Sequence, residues 1–314
     1  MSEEKMPSLT PLEIKAKKRS KRKKAVYKFR IGIATIVAAF FAILFLMPIV
    51  LTITNSFMSS SEISANYGSV FATNDKGGKV YISEKVNLKF IPDMVSFSQY
   101  ATVLFKSPEY LLKFWNSVIL VGPIVFFQLF VACLASYGFT RYRGRIREII
   151  FFSYIILMLM PYRVTLVPNY IMLDRLGLLD TYYALVLPMI FVPLGTFIMT
   201  QSFQAVPNEI IEAARLDGCG TLKLICRIAV PMNRAGLICT LLLSFLDGWN
   251  MVEQPMVYLE DFGRYPISVA LASVPPENPT VQLVCCILVA LPPLFLFAYF
   301  NRELVEGIAL GGEK

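Results

Sequence analysis

The sequence predicts an all-α membrane protein that crosses the bilayer six times. Of its 314 residues, 56% are hydrophobic and 17% are charged. The apolar residues collect into runs long enough to span a bilayer, which takes about 20 residues of helix. Six runs qualify, at residues 30–54, 114–139, 148–171, 182–203, 229–251 and 281–301. An even number of spans puts both termini on the same side.

The basic residues predict which side that is. Residues 15–24 contain eight Lys or Arg in ten positions, and the loop after the second run carries four arginines. Lys and Arg in short flanking segments stay in the cytoplasm, so we place both termini and the loop after the fourth span there. Residues 253–280 carry four acidic residues against Arg264 alone, and we place that segment outside.

These boundaries divide the chain into three parts. Residues 1–29 form a basic cytoplasmic tail, residues 30–303 a six-span domain, and residues 304–314 a cytoplasmic C-terminal tail. Within the six-span domain, an external loop at residues 55–112 follows the first span. A cytoplasmic loop at residues 204–228 follows the fourth span.

Two local irregularities are expected. A small hairpin is predicted in the external loop, where turn residues at 74–78 follow Val70-Phe71. The third span contains Pro161 and Pro168, and the fourth contains Pro188 and Pro193. Because each proline ring removes a backbone N–H, we expect both spans to be bent or locally unwound.

Several function classes are disfavoured. The chain has no histidine, which removes the imidazole general base and the usual zinc sites. It has no Gly-x-x-x-x-Gly-Lys-Ser/Thr loop for nucleotide. We therefore expect no metal, no cofactor bound by this chain and no enzymatic activity. The excess of basic residues follows the topology, so nucleic-acid binding is not expected, and the six cysteines predict no structural disulfide.

A polar helix-forming stretch at residues 206–218 lies between the fourth and fifth spans. Pro207 suits a first helical turn and Gly218 a left-handed end, which predicts about three turns of helix. Ala213 and Ala214 would let a partner surface approach the backbone, and Glu212 would orient it. The alternative is a solvated helix on which Glu212 pairs with Arg215 at i, i+3.

The order Glu-Ala-Ala, three residues, Gly, nine residues, Ile-x-(Leu)-Pro resembles the signature loop of the membrane subunits of ATP-binding-cassette importers, with Val230 where Leu is usual. In that family this helix seats in a cleft of the ATPase. The resemblance implies that role for Glu212, Ala213, Ala214 and Gly218.

Other stretches resemble the carbohydrate branch of these permeases, at residues 160–181 and 249–255. The C-terminal residues are similar to the maltose-type tail that reaches into the ATPase dimer interface, which implies that contact for Gly311 and Gly312. The resemblance implies a multi-pass permease for a sugar or oligosaccharide in a prokaryotic cytoplasmic membrane. Its partners would be an ATPase dimer that binds ATP and Mg, a second permease, and an extracellular or periplasmic solute-binding protein.

Arg163 departs from the family pattern, in which this position is generally uncharged. One hypothesis is that Arg163 lines the pathway and favours an anionic or strongly hydroxylated substrate; the alternative is a structural pair with Asp247 or Asp174. The other span residues able to bind a hydroxyl-rich ligand, or equally to join helices, are Asn116, Gln128, Tyr162, Asn169, Asp247, Trp249 and Asn250.

Three alternative functions stay open at this point. The same importer could carry another cargo, such as glycerol phosphate, a peptide or an amino acid. An ion-coupled secondary carrier would need titratable groups in the membrane, and Asp247 is the one acidic candidate. A membrane-embedded enzyme is disfavoured because no span contains paired carboxylates or a nucleophile with a base.

Overall fold

The computed structural model describes residues 11–71, 87–191, 193–272 and 279–312, and nearly all of them are helical. The first helices are α1 (Pro11–Asn55), α2 (Ser60–Phe71), α3 (Ser98–Ala101), α4 (Pro108–Arg141), α5 (Arg145–Met158), α6 (Tyr162–Arg175), α7 (Tyr182–Met189) and α8 (Pro193–Gln204). They are followed by α9 (Asn208–Leu216), α10 (Thr221–Leu224), α11 (Val230–Met232), α12 (Arg234–Trp249), α13 (Glu253–Tyr258), α14 (Ile267–Ala272) and α15 (Pro279–Gly312).

Four stretches of helix are individually long and apolar enough to cross a membrane: Tyr27–Asn55, Pro108–Arg141, Tyr182–Gln204 and Pro279–Val305. Two further pairs pass the same test together but are sharply bent, at 107° between α5 and α6 and at 90° before α12. If each bent pair is one span, the described residues contain six, as the sequence predicts.

The third span breaks at Pro161, as predicted. Helix α5 ends at Met158, and Pro161 stands immediately before α6 with φ −59° and ψ 127°. Because proline has no N–H to donate and disfavours the helical conformation of the residue before it, a break is favoured at this position. Pro168 lies inside α6 without ending it. The predicted run at residues 148–171 is therefore two helices.

The fourth and fifth spans are interrupted as well. Pro188 lies in the last turn of α7 and Pro193 begins α8, which agrees with the predicted break. The fifth span begins at Arg234, so residues 229–232 of the predicted run belong to a preceding helix. A bend at Asn233 separates the two, and the Asn233 amide donates to the Ala229 carbonyl at 2.9 Å, which satisfies a backbone group near the bend.

Helix α4 occupies the middle of the bundle, where it packs against α8, α12 and α14. Small residues allow these close contacts. A Cβ built on Gly195 of α8 would lie 3.0 Å from Thr240 of α12, and a Cβ on Gly236 of α12 would lie 1.9 Å from the Ser202 Oγ of α8. The α8–α12 contact therefore depends on the absence of side chains.

The segment after the first span folds back on itself. The Ser59 Oγ accepts from the Glu62 N–H at 3.3 Å, a cap that starts α2. Val70 and Phe71 consequently end a helix and do not form the first strand of the predicted hairpin. The predicted turn at residues 74–78 lies outside the described residues.

Gln99 ties this segment to the end of α1, since its Nε2 donates to the carbonyls of Ser56 and Met58 at 2.7 Å. The Asp93 N–H donates to the Glu62 carboxylate at 2.8 Å, and Lys89 pairs with the same carboxylate. These two contacts hold the pKa of Glu62 below its usual range.

We predict that Gly236→Ala destabilises the bundle by about 1–3 kcal/mol, because the new methyl group would also lie 2.6 Å from the Ser202 Cβ, which no rotamer change can move. The melting temperature of the detergent-solubilised protein measures this. The control is Gly122→Ala, where a Cβ meets nothing within 4 Å. Equal melting temperatures for the two variants would contradict the proposed packing.

Candidate functional site

The predicted docking element is a short helix, α9, between the fourth and fifth spans. Pro207 precedes it with φ −58° and ψ 139°, and the helix covers nine residues, Asn208–Leu216. This length is about two and a half turns. It is shorter than the three turns predicted because Pro207 stands before the helix and not in its first turn.

Gly218 ends α9 in the left-handed conformation, with φ +76°. Its N–H donates to the Arg215 carbonyl, and the Cys219 N–H donates to the Ala214 carbonyl, both at 3.0 Å. This pair of bonds is a Schellman motif, in which glycine avoids the steric cost of a positive φ. The predicted reason for glycine at this position is confirmed.

One face of α9 is packed against the bundle. Ile211 and Ala214, three residues apart, are buried. They join an apolar cluster with Ala132, Cys133, Tyr137, Met199, Phe203, Val206, Leu224, Ile225 and Ala229. Ala214 was expected to face a partner, and the structure places it inward because it shares the helix face of Ile211. Its small side chain brings α9 close to its own bundle.

The opposite face of α9 projects away from the bundle. Glu212, Ala213 and Gly218 are exposed. Leu216, one turn beyond Glu212, is 90% exposed. The sequence analysis did not single out Leu216, although its spacing of four residues from Glu212 is the signal that places both on one face. This outer face combines a carboxylate with an apolar side chain.

Two arginines join α9 to the last turn of α4. The Arg141 guanidinium donates to the Asn208 side-chain oxygen and, at 3.1 Å, to the Val206 carbonyl. Arg215 donates to the Tyr137 hydroxyl at 3.3 Å. Among the described residues Glu212 has no hydrogen-bond or ion-pair partner. The alternative pairing of Glu212 with Arg215 is therefore wrong.

The first residues of the predicted C-terminal tail at 304–314 continue helix α15. The helix extends to Gly312, so the backbone of Gly311 and Gly312 is helical, with a kink at Phe300 where φ is −106° and ψ is 17°. Glu303 pairs with Arg234 at 3.3 Å. Because Arg234 begins α12, this contact places Glu303 beside the start of the fifth span. A contact of Gly311 and Gly312 with an ATPase stays a prediction.

Arg163 pairs with Glu253, at 2.7 Å between Nη2 and Oε1. Neither predicted counter-ion, Asp247 or Asp174, is its partner. The sequence placed Arg163 deep in an unbroken span, whereas the break at Pro161 puts it in the first turn of α6. There it meets the first residue of α13, so the ion pair joins the third span to the segment after the fifth.

Four of the predicted pathway residues make contacts within the protein. Asn116 donates to the carbonyls of Gly263 and Tyr265 at 2.7 and 3.2 Å. Trp249 is 1% exposed, and its Nε1 donates to the carbonyl of Val289 at 2.9 Å. The other two are Asn169, which hydrogen-bonds Tyr258, and Asn250, which caps α12 through the Leu246 carbonyl.

The remaining three residues differ in their surroundings. Gln128 is 1% exposed in the middle of α4, and its Oε1 has no hydrogen-bond partner in the described part of the chain. Asp247 is exposed on α12, with no hydrogen bond or ion pair to any described residue. The side chain of Tyr162 lies outside the described part of the structure. Contact of any of these residues with substrate stays a prediction.

At the end of the bundle opposite α9, two hydrogen bonds and an ion pair converge on Asp180. The backbone N–H groups of Asp261 and Glu260 donate to its carboxylate at 3.1 Å, and Arg264 pairs with it. The two backbone bonds, followed by Arg264, hold the pKa of Asp180 below its usual range. Within the described residues, no group of three Cys, Asp or Glu side chains could hold a metal ion.

Residues 128–306, more than half of the chain, match the family of binding-protein-dependent transport system inner membrane components. The chain belongs to this family. The match includes α9 and the C-terminal part of α4, and it begins after α1 and α2. The matched region therefore contains residues 206–231, the stretch that resembles the importer signature loop.

Relatives of this transport component support the assignment. It is 25% identical over 283 residues to the arabinooligosaccharides permease AraQ of Halalkalibacterium halodurans, covering 89% of this chain and 95% of that one. It is 32% identical over 209 residues to the lactose permease LacG of Rhizobium radiobacter, covering 65% and 75% of the two chains.

A solved structure shares the fold. It belongs to a bacterial ABC transporter involved in the import of the acidic polysaccharide alginate, and the match has a TM-score of 0.71 at 18% identity. It covers 95% of this chain and all of the other. This transport component therefore shares its overall fold with that chain.

We predict that Arg163→Gln lowers the amount of folded protein without changing cargo preference, because Glu253 already balances the charge. Uptake of neutral and anionic sugars by reconstituted vesicles, taken as a ratio, should stay within about twofold of the wild-type value. Arg163→Glu should reduce folded protein further, and the exchange Arg163→Glu with Glu253→Arg should restore it. A tenfold change in the uptake ratio would contradict this prediction and show that Arg163 helps to select the cargo.

Proposed function

We propose that this chain is a permease subunit that imports a sugar or oligosaccharide with energy from ATP hydrolysed elsewhere in the complex. Family membership supplies the transport role. The observation that carries the coupling role is α9, a short helix that ends in a Schellman motif and is packed on the bundle by Ile211 and Ala214. Glu212 and Leu216 are exposed on its outer face. A helix packed and exposed in this way can pass a displacement from a neighbouring protein to the membrane spans.

The neighbours follow from this role. An ATPase dimer holding ATP and Mg would meet the outer face of α9 on the cytoplasmic side, and the end of α15 would contact the same dimer. A second permease would complete the pathway, and a solute-binding protein would deliver cargo at the opposite end. The site of action is the cytoplasmic membrane of a prokaryote, and the chain itself catalyses no reaction.

The mechanism requires α9 to move as a unit with the spans. Closure of the ATPase dimer displaces α9, and the displacement rocks the bundle between inward-open and outward-open states. The Schellman end at Gly218 keeps α9 short and rigid, since the chain leaves the helix within two residues. The breaks near Pro161 and Asn233 supply the bends at which spans change angle.

The cargo proposal rests on the relatives, whose names describe transport of arabinooligosaccharides and lactose. The alternative is an anionic solute such as glycerol phosphate, for which Arg163 was the candidate residue. Its pairing with Glu253 favours the neutral cargo. ATP hydrolysis by the complete transporter can distinguish these cargoes. Each of arabino-oligosaccharide, lactose and glycerol phosphate is added with a candidate binding protein, and the true cargo should stimulate hydrolysis.

An ion-coupled carrier is the competing class. Asp247 is the acidic residue on which it would depend, and Asp247→Asn removes its charge at nearly constant volume. We expect uptake by energised vesicles to stop when ATP is depleted while an ion gradient is kept. If uptake continues without ATP and is lost in Asp247→Asn, the chain is an ion-coupled carrier and not a subunit of an ATP-driven importer.

We predict that Glu212→Ala and Leu216→Ala weaken association with the cognate ATPase, Leu216→Ala by tenfold or more, since it removes the most exposed apolar side chain on α9. Tenfold corresponds to about 1.4 kcal/mol. Gly218→Pro should abolish association, because proline cannot adopt the positive φ. Co-purification and the ATPase rate of the purified complex measure both effects.

The matched control is Glu260→Ala, which removes an exposed carboxylate from the opposite end of the bundle. It should leave association unchanged. If Glu212→Ala, Leu216→Ala and Gly218→Pro all retain wild-type association and ATPase rates, α9 is not the docking element.

A further inference from the structure

Helix α4 is bonded at its two ends to two separated parts of the chain. At one end, Arg141 binds the start of α9 and Tyr137 accepts a bond from Arg215 near its end. Residues 137 and 141 are one helical turn apart, so both bonds leave the same face of α4. The short helix is thereby fixed at both of its ends and cannot pivot about one contact.

The other end of α4 holds the loop at residues 259–267. Asn116 donates to the carbonyls of Gly263 and Tyr265. Ser117, fully buried, accepts from the Ile267 N–H at 2.8 Å. The same loop is joined to Asp180 through its backbone N–H groups. Two consecutive residues of α4 therefore fix three backbone groups of the loop.

The helix between these ends is unbroken. Residues 116 and 141 lie about 38 Å apart along a helix that rises 1.5 Å per residue, and Pro123 does not interrupt it. The third span is bent by 107° and the fifth is preceded by a 90° bend. A continuous helix resists bending, whereas a broken one absorbs displacement at its hinge.

We infer that α4 is a strut that moves α9 and the loop at residues 259–267 as one body, with Arg141 as the positioning residue at the α9 end. This inference rests on the proposed function, because it assigns the path by which displacement of α9 reaches the opposite side of the membrane. The competing path runs along the chain from α9 through α10 and α11 to α12, and it meets the bend at Asn233.

The first test replaces Arg141 in the complete transporter, reconstituted with its ATPase, second permease and binding protein. Arg141→Ala should keep basal ATP hydrolysis within about twofold and lower the sugar imported per ATP hydrolysed at least fivefold. Arg141→Lys, which keeps one donor, should recover at least half of the loss. The matched control is Arg143→Ala, an exposed arginine two residues further along, which should leave this ratio unchanged.

A covalent replacement separates a positioning role from a general loss of stability. In Arg141→Cys with Asn208→Cys, a bis-methanethiosulfonate cross-linker about as long as the arginine side chain should join α4 to the first residue of α9 and restore the import per ATP. Reduction, which removes the cross-linker, should lower the import per ATP again. Tyr137→Phe removes only the hydroxyl that accepts from Arg215 and keeps the packed ring. It therefore tests the second bond between α4 and α9 even if the Arg141→Ala transporter does not assemble. Wild-type import per ATP in both Tyr137→Phe and the reduced double-cysteine protein would overturn the strut.

A double substitution tests whether the two ends act together. Sites this far apart ordinarily contribute independently, so their fold losses multiply. If α4 is one strut, Asn116→Ala combined with Arg141→Ala should lose no more import per ATP than the worse single variant. Multiplied losses would show that the ends act separately, and would overturn the inference.

The wild-type complex distinguishes this failure from failure of the proposed function. If it imports none of the tested sugars in an ATP-dependent manner, the proposed function fails. If it does import, and Arg141→Ala matches it in import per ATP, the strut alone is wrong.

Discussion

The continuity of helix α4 is the constraint on which the rest of the molecule depends. In lipid, each backbone N–H and carbonyl needs a partner within the protein, and a continuous helix supplies nearly all of these partners itself, Pro123 removing one bond. Helix α4 lies in the middle of the bundle, and the spans packed around it are interrupted. The breaks near Pro161, between α7 and α8, and near Asn233 occur in chain segments around it.

The sequence was informative wherever a structural feature has a local cause. Apolar runs placed the spans, Pro161 placed a break, and Gly218 placed the left-handed end of α9. The buried face of α9 was missed, because whether Ala213 or Ala214 faces inward depends on the position of the helix against α4. The partner of Arg163 was missed for a similar reason, since Glu253 lies 90 residues away and comes near only through the bend at Pro161.

Polar residues within the spans serve mostly to hold the bundle together. Asn116 and Trp249 were candidates for sugar contact, because amides and indoles suit hydroxyl-rich ligands. In the structure their donors meet backbone carbonyls of neighbouring segments. Burying an amide in an apolar medium costs free energy unless the amide is hydrogen-bonded. Such a residue therefore needs hydrogen-bond partners within the protein before it can serve a ligand. Gln128, with its unpaired carbonyl oxygen, is the exception among these amides.

The first helix has a different relation to the bundle. Its apolar stretch from Tyr27 to Asn55 is exposed along almost its whole length, and among the described helices it packs chiefly on α15, the last to be synthesised. Because α15 follows all the other described helices in the chain, the first span finds its main partner only after α15 has entered the membrane. A substitution that unfolds α15 would therefore also free the first span from the bundle.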